Sequence, residues 1–271
     1  MVTRSRLIAR LADLDAGDTR YETVGELFVA TSDTEHAELP AIKAMFDERR
    51  ESGMPNIGDT RLLEGAEARE LSPPLADVPG AILVPEAARV DGDYLRNALL
   101  AAAKRRGAEV TQGETRIVSA GDDTVEVDID GMARSFSRVI VAAGSWSNAV
   151  LEPLGMSVPV APQKGQILHL DMGERDTSRW PIIGGFGSQY ILSFAPNRVV
   201  CGATRETGSG YDLRVTAGGL QSVTSEALRV APGLADGALV EVRVGLRPLS
   251  ADGLPFIGRV GGHEAVVVCT G

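Results

Sequence analysis

The apolar run Val139–Ala143 limits most strongly what this chain can fold into. All five of its side chains are hydrophobic, so a strand made from them leaves neither face to water. Strands of this kind lie inside parallel sheets that are covered on both faces by other elements. Gly144 follows directly and favours a turn. The run therefore predicts a central strand of an α/β sheet.

The segment around this run predicts alternating helices and strands. Asp91–Arg106 has an acidic start, apolar residues on one face, a basic last turn and Gly107 as a stop, which together indicate a helix. Helices are also predicted over residues 1–13 and Thr34–Arg50. Short strands are predicted at Ala108–Thr111, Thr115–Ala120 and Thr124–Ile129.

From Pro159 onward the pattern changes to strands joined by short turns, with one helix at Ala217–Val230. This texture is typical of an antiparallel or mixed sheet rather than of strict β-α alternation. The predicted strands are Val160–Leu170, Gln189–Phe194, Arg198–Ala203 and Leu239–Leu246. The expected fold class is therefore α/β plus α+β, with two architectures interleaved along one chain.

Composition excludes several classes of function. A formal net charge of -10 leaves no basic footprint for nucleic acid, and no run approaches the roughly twenty apolar residues of a membrane span. The three histidines belong to no ligand-spaced motif, so no metal site is indicated. Cys201 and Cys269 lie in apolar, strand-like stretches, which predicts two buried thiols. The first residues do not resemble a secretory signal, so a cytoplasmic location is expected.

Two stretches carry candidate chemistry. In the first, Val139–Ala143 leads into Gly144-Ser-Trp-Ser147, where small residues at the end of a parallel strand let the backbone approach a flat or charged ligand. The second is Gly245-Leu-Arg-Pro248, followed by Asp252-Gly-Leu-Pro255. Arg247 is costly to bury without an anion, and its guanidinium matches a carboxylate through two parallel hydrogen bonds.

Together with Pro162–Asp171, these stretches resemble the D-amino-acid oxidase, glycine oxidase and sarcosine oxidase family of FAD-dependent oxidoreductases. The resemblance implies that Arg247 binds the substrate carboxylate and that Tyr190, in a hairpin that walls the substrate pocket, makes a polar contact to the substrate. A strand tyrosine packed at the rim remains the alternative for Tyr190. The positions that the resemblance assigns to the FAD are Ala142, Ala143, Gly144, Trp146, Arg116, Ile117, Pro248, Gly253 and Gly271.

The chain departs from the family pattern at both ends. The family begins with a strand, a Gly-x-Gly-x-x-Gly turn and a helix, which bind the pyrophosphate of the cofactor, and no such motif occurs here. A closing helix after Gly271 is also absent. The resemblance thus implies an incomplete Rossmann-like FAD-binding domain made of residues 1–15, 86–157 and 252–271. A substrate domain would then comprise residues 16–85 and 158–251.

The function implied is FAD-dependent oxidation of a small amine or amino acid, such as a D-amino acid, glycine or an N-methyl amino acid. Two alternatives stay open at this point. One is a flavin-dependent 2-hydroxy-acid or glycerol-phosphate dehydrogenase, which shares the scaffold. The other is a truncated relative without cofactor that acts as an interaction subunit in a homo- or hetero-oligomer.

Overall fold

The computed structural model describes residues 4–187, 189–259 and 261–271, with side chains from Leu7 onward. The chain divides into two compact units. Unit 1 comprises Met1–Val110, Ile167–Thr204 and Thr216–Arg243, and unit 2 comprises Thr111–Gln166, Arg205–Val215 and Val244–Gly271. The predicted assignment of FAD-binding and substrate domains remains a prediction.

The helices are α1 (Arg4–Asp13), α2 (Asp33–Glu51), α3 (Gly65–Leu71), α4 (Gly92–Arg105), α5 (Ser147–Leu151) and α6 (Ala217–Val230). The strands of the first half are β1 (Glu22–Thr23), β2 (Glu26–Ala30), β3 (Arg61–Glu64), β4 (Gly80–Val84), β5 (Ala88–Arg89), β6 (Thr115–Ala120), β7 (Val125–Ile129), β8 (Met132–Phe136) and β9 (Val139–Val141). Those of the second half are β10 (Val160–Asp171), β11 (Ile182–Gly185), β12 (Tyr190–Phe194), β13 (Arg198–Gly202), β14 (Glu206–Thr207), β15 (Ala238–Ser250), β16 (Phe256–Arg259) and β17 (Val266–Thr270). Among the described helices none is long and apolar enough to cross a membrane.

Unit 1 is built on a mixed sheet with the strand order β10-β13-β12-β11-β2-β4-β3. The pair β11 and β2 is parallel and the other neighbours are antiparallel. Alternation of side chains along the strands gives the sheet two apolar faces. On one face Val29 and Ile191 pack with Val223 of α6, and on the other Ala30 and Ile82 pack with Leu39 of α2.

Unit 2 contains two three-stranded sheets, β16-β17-β9 and β6-β7-β8. The strands β17 and β9 run parallel, with Val268 opposite Val141. Both residues are buried in one core together with Ile117 and Val125. The short strand β14 pairs with Gln163 and Lys164 at the start of β10.

Most of the predicted elements are confirmed. The helix predicted at Ala217–Val230 has these bounds, and the predicted helix after Asp91 begins there because its side chain accepts hydrogen bonds from the amides of Asp93 and Tyr94. The mixed α/β architecture with several sheets confirms the expected fold class.

One predicted strand is absent and one observed strand was not predicted. Residues 108–111 form no strand, because they are exposed and follow Gly107 without a partner strand in the described part of the chain. The strand β8 was not predicted, although it forms a hairpin with β7. Its turn is Asp130-Gly131, and both residues have positive φ, as a two-residue type I′ hairpin turn requires.

The prediction of a strand covered on both faces was also wrong for β9. Val141 is buried, whereas the side chain of Ile140 is 68% exposed. Cys269 corrects the prediction of two buried thiols in the same way: Val266 and Val268 face the core of unit 2, so alternation turns Cys269 outward. Cys201 is buried as predicted, and burial raises the pKa of its thiol to about 12.

Candidate functional site

The predicted cofactor turn lies where the parallel strands β9 and β17 of unit 2 both end. Gly144 has a φ of +54°, which favours glycine at this position. The hydroxyl of Thr270, at the end of β17, donates to the Gly144 carbonyl at 3.0 Å, and the hydroxyl of Ser147 donates to the same oxygen at 2.8 Å. The Thr270 bond holds the carboxyl ends of two neighbouring strands together, which is where α/β sheets bind ligands.

The same turn is joined to the strand that carries Arg247. Ser145 is buried, and its hydroxyl donates to the carbonyl of Leu246 at 3.2 Å. The hydroxyl of Tyr211 donates to the carbonyl of Ser145 at 2.9 Å. Trp146 is 47% exposed, and its ring centroid lies 5.7 Å from that of Tyr211. Unit 2 therefore brings the predicted cofactor turn next to the residue that precedes Arg247.

Arg247 is half-buried on β15, and its guanidinium lies against Gly165 of β10. A Cβ built on Gly165 would be only 2.5 Å from Nη1 of Arg247 and 2.8 Å from Nη2. The space that a side chain at position 165 would occupy is thus filled by the guanidinium.

Tyr190 belongs to unit 1, where it is half-buried at the start of β12. It is paired with Gly202 of β13. A Cβ built on Gly202 would be 3.3 Å from the Tyr190 hydroxyl and 2.5 Å from Cγ2 of Ile167. The Tyr190 hydroxyl therefore lies close to Gly202, which has no side chain.

The other residues assigned to the cofactor by resemblance all belong to unit 2. Ala142 is exposed, and Ala143 and Pro248 are half-buried. Gly253 and Gly271 have φ angles of +73° and +100°. Arg116 is exposed, whereas the side chain of Ile117 is packed in the core, which leaves only its backbone for a ligand. Their roles remain predictions.

A buried polar cluster around Lys164 was missed by the sequence interpretation, which treated the residues of this strand as structural. The side chain of Lys164 is 1% exposed, and Nζ lies 3.7 Å from carboxylate oxygens of both Glu206 and Asp212. Gln166 donates from Nε2 to Glu206 at 2.6 Å. Hydrogen bonds from Arg214 hold the pKa of Asp212 well below its usual range. The one signal for this cluster in the sequence was Lys164 itself, a lysine inside a predicted strand of a chain that has only three lysines.

The edge around Gly144 fits the requirements of a flat, phosphate-bearing cofactor such as FAD in one respect. Gly144 carries no side chain at the end of β9, and a Cβ built there would meet nothing within 4 Å, so a ligand can approach its backbone closely. A Cβ built on Gly271 would instead lie 3.0 Å from the carbonyl oxygen of Leu254. Trp146 adds an exposed aromatic ring beside the turn. This fit concerns the strand edge of unit 2 only.

Comparison with known proteins shows the family of the chain. The protein-family model "DAO: FAD dependent oxidoreductase" matches residues 1–271. The uncharacterized oxidoreductase YurR of Bacillus subtilis (strain 168) is 41% identical over 266 residues, which cover 98% of this chain and 70% of that protein.

Solved structures show the same relationship. Iminodiacetate oxidase from Chelativorans sp. BNC1 is 38% identical with a TM-score of 0.92, over 98% of this chain and 71% of that one. Glycine oxidase from Geobacillus kaustophilus is 25% identical with a TM-score of 0.83, over 98% of this chain and 70% of that one. The chain belongs to the FAD-dependent oxidoreductase family, a family of redox enzymes, that the matching family model describes.

Proposed function

We propose that this protein oxidises a small amine or amino acid with FAD as the electron acceptor. The observation that carries the proposal is the hydrogen bond from Ser145 to Leu246, which joins the glycine turn at the end of β9 to the strand of Arg247. Oxidation of a carboxylated amine requires a place for the cofactor and a cation that binds the substrate carboxylate. Unit 2 contains a candidate for each, the strand end around Gly144 and the guanidinium of Arg247. The relatives named iminodiacetate oxidase and glycine oxidase support the same substrate class.

Arg247 is proposed to bind the substrate carboxylate. A guanidinium offers two parallel N–H donors to a carboxylate, and charge-assisted pairs of this kind are about twice as strong as neutral hydrogen bonds. The pair would orient the Cα–H bond of the substrate for reaction.

Tyr190 is proposed to contribute a second polar contact to the substrate. Tyr190 lies on β12 in the sheet of unit 1. Its partner Gly202 has no side chain, which leaves room for the Tyr190 hydroxyl. A tyrosine in this setting combines an apolar ring that packs with a hydroxyl that can bind a polar group.

Bound FAD supplies the acceptor for the hydride that leaves the substrate Cα, and water then hydrolyses the resulting imine. The residues of this chain proposed to hold it are Gly144, Trp146 and Gly271, at or beside the ends of β9 and β17. A dedicated general base is not required, because the substrate ammonium group can release a proton to water and so become the free amine before the hydride leaves.

The test is anaerobic reduction of the FAD-loaded protein by a panel of paired substrates. Each amino or N-methyl amino acid is matched with the 2-hydroxy acid of the same carbon skeleton, for example glycine with glycolate. We expect loss of the oxidised-flavin absorbance with members of the amine series only. Reduction by the hydroxy acids alone would replace the proposal with a hydroxy-acid dehydrogenase.

A further inference from the structure

We propose that Gly165 is a positioning residue for Arg247: the missing side chain at position 165 sets where the guanidinium lies. The inference rests on the proposed role of Arg247 as the carboxylate anchor. It goes further by naming the backbone position that determines the geometry of that anchor.

The geometry shows a close fit between the two residues. A Cβ on Gly165 would lie 2.5 Å from Nη1, 2.8 Å from Nη2 and 2.9 Å from Cζ of Arg247. Both Nη atoms lie nearer to that point than Cζ does, so the Nη end of the guanidinium, rather than its flat face, lies against the backbone of Gly165. The guanidinium can thus occupy this place only while residue 165 has no side chain, although no positive φ demands glycine there.

The guanidinium of Arg247 stands in the way of a side chain at position 165. Its atoms are the three nearest to the added Cβ, and ordinary van der Waals contact begins at 3.4 Å. Alanine at this position would thus require the guanidinium to move by about 1 Å, a displacement that is enough to cost about 100-fold when it affects the positioning of a substrate.

The backbone of Gly165 is held in place by its neighbours on β10. The preceding residue, Lys164, is buried between Glu206 and Asp212, and the following residue, Gln166, donates to Glu206. A long side chain with several rotatable bonds moves at lower cost than a strand anchored on both sides. We therefore expect alanine at position 165 to displace the guanidinium and to leave the strand in place.

The experiment is a double-mutant cycle in the FAD-loaded protein with Gly165→Ala, Arg247→Ala and the double variant. The measured quantities are KM and kcat for the best carboxylated substrate of the panel, the dissociation constant of acetate as a non-oxidisable carboxylate, and the urea midpoint. Gly113→Ala is the matched control, because a Cβ there would also meet a charged side-chain end, Asp130 Oδ2 at 2.5 Å, in an exposed loop of unit 2.

We expect Gly165→Ala to raise KM and the acetate dissociation constant by about 10- to 100-fold, with an unchanged urea midpoint. In the Arg247→Ala background it should have no further effect, and Gly113→Ala should change none of the constants. An equal loss in both backgrounds, or no loss in the wild-type background, would overturn the proposal.

A crystal structure of Gly165→Ala separates this inference from the proposed function. A guanidinium displaced by about 1 Å supports the positioning contact even if no amino acid reduces the flavin. A guanidinium at its original place would refute the contact, whatever the protein oxidises.

Discussion

The two compact units hold their proposed substrate residues in different ways. In unit 1, the Tyr190 hydroxyl lies close to Gly202. The atom nearest to a Cβ built on Gly202 is, however, Cγ2 of Ile167, at 2.5 Å. In unit 2, the three nearest atoms to a Cβ on Gly165 all belong to Arg247. The bare glycine of unit 1 is thus part of the packing between strands, whereas that of unit 2 serves one charged side chain.

This difference predicts which property a substitution in each unit should change. A change that alters strand packing should lower the free energy of unfolding. A change that moves only the end of a flexible side chain should alter ligand affinity and leave stability almost unchanged. We therefore expect a substitution at Gly202 of unit 1 to change mainly the stability of the protein. A substitution at Gly165 of unit 2 should change mainly ligand binding.

The largest effect is expected from Arg247→Ala in unit 2. Loss of a charge-assisted pair with the substrate carboxylate should cost about 3 kcal/mol, or roughly a 100-fold rise in the apparent KM. Steady-state kinetics measure this, with the exposed Arg134 replaced by alanine as the control. If the kinetics of Arg247→Ala match those of the wild type, Arg247 does not bind the substrate.

The next effect is expected from Gly202→Ala in unit 1. Because Ile167 must move to admit the new methyl group, we expect a loss of about 2 kcal/mol in the free energy of unfolding, measured by urea denaturation. Gly258→Ala, on β16, is the control, since a Cβ there meets nothing within 4 Å. Equal stability of the two variants would remove the contrast between the units.

A smaller effect is expected from Tyr190→Phe. The ring would keep its packing, and the loss of one neutral hydrogen bond to the substrate should cost about 1 kcal/mol, which is about a fivefold rise in KM. Parallel kinetics and urea denaturation check this. A variant that loses stability but keeps its KM would show that the hydroxyl serves the fold and not the substrate.

The smallest effect is expected from Glu26→Gln in unit 1. The Glu26 carboxyl lies on β2, with Oε1 2.6 Å from where a Cβ on Gly184 would be, and burial raises its pKa. The folded protein then holds this proton more tightly than the unfolded chain. Stability from this group is therefore full below the unfolded pKa of about 4.3 and is lost as pH rises through the folded value.

Glutamine removes this charge, so the variant should be more stable than the wild type at neutral pH. Near pH 4 the two proteins should have equal stability. Urea denaturation at several pH values measures the difference. A difference that does not depend on pH would show that the ionisation of Glu26 has no part in it.

The sequence predicted the elements whose signals are local. The helices α4 and α6 have caps and apolar faces that can be recognised within one segment. The strand β8 was missed because its five residues are all exposed and carry no apolar alternation, although the Asp130-Gly131 turn was a usable signal. The exposure of Ile140 and Cys269 depends on what covers a sheet face, which the residues of one strand do not encode.

The candidate site was predictable only in its motifs. Gly144 and Arg247 could be identified because each stands in a recognisable stretch. The cluster around Lys164 joins residues more than 40 positions apart, so its charges cannot be paired from local patterns. The contact between Gly165 and Arg247 spans two strands, and it became visible only with the coordinates of both.

The central claim is that residues of this chain hold FAD at the strand edge around Gly144. The most direct measurement is the visible absorption spectrum of the purified protein after incubation with FAD and removal of the free cofactor. We predict a retained flavin band that is shifted relative to free FAD. A colourless protein would contradict the claim.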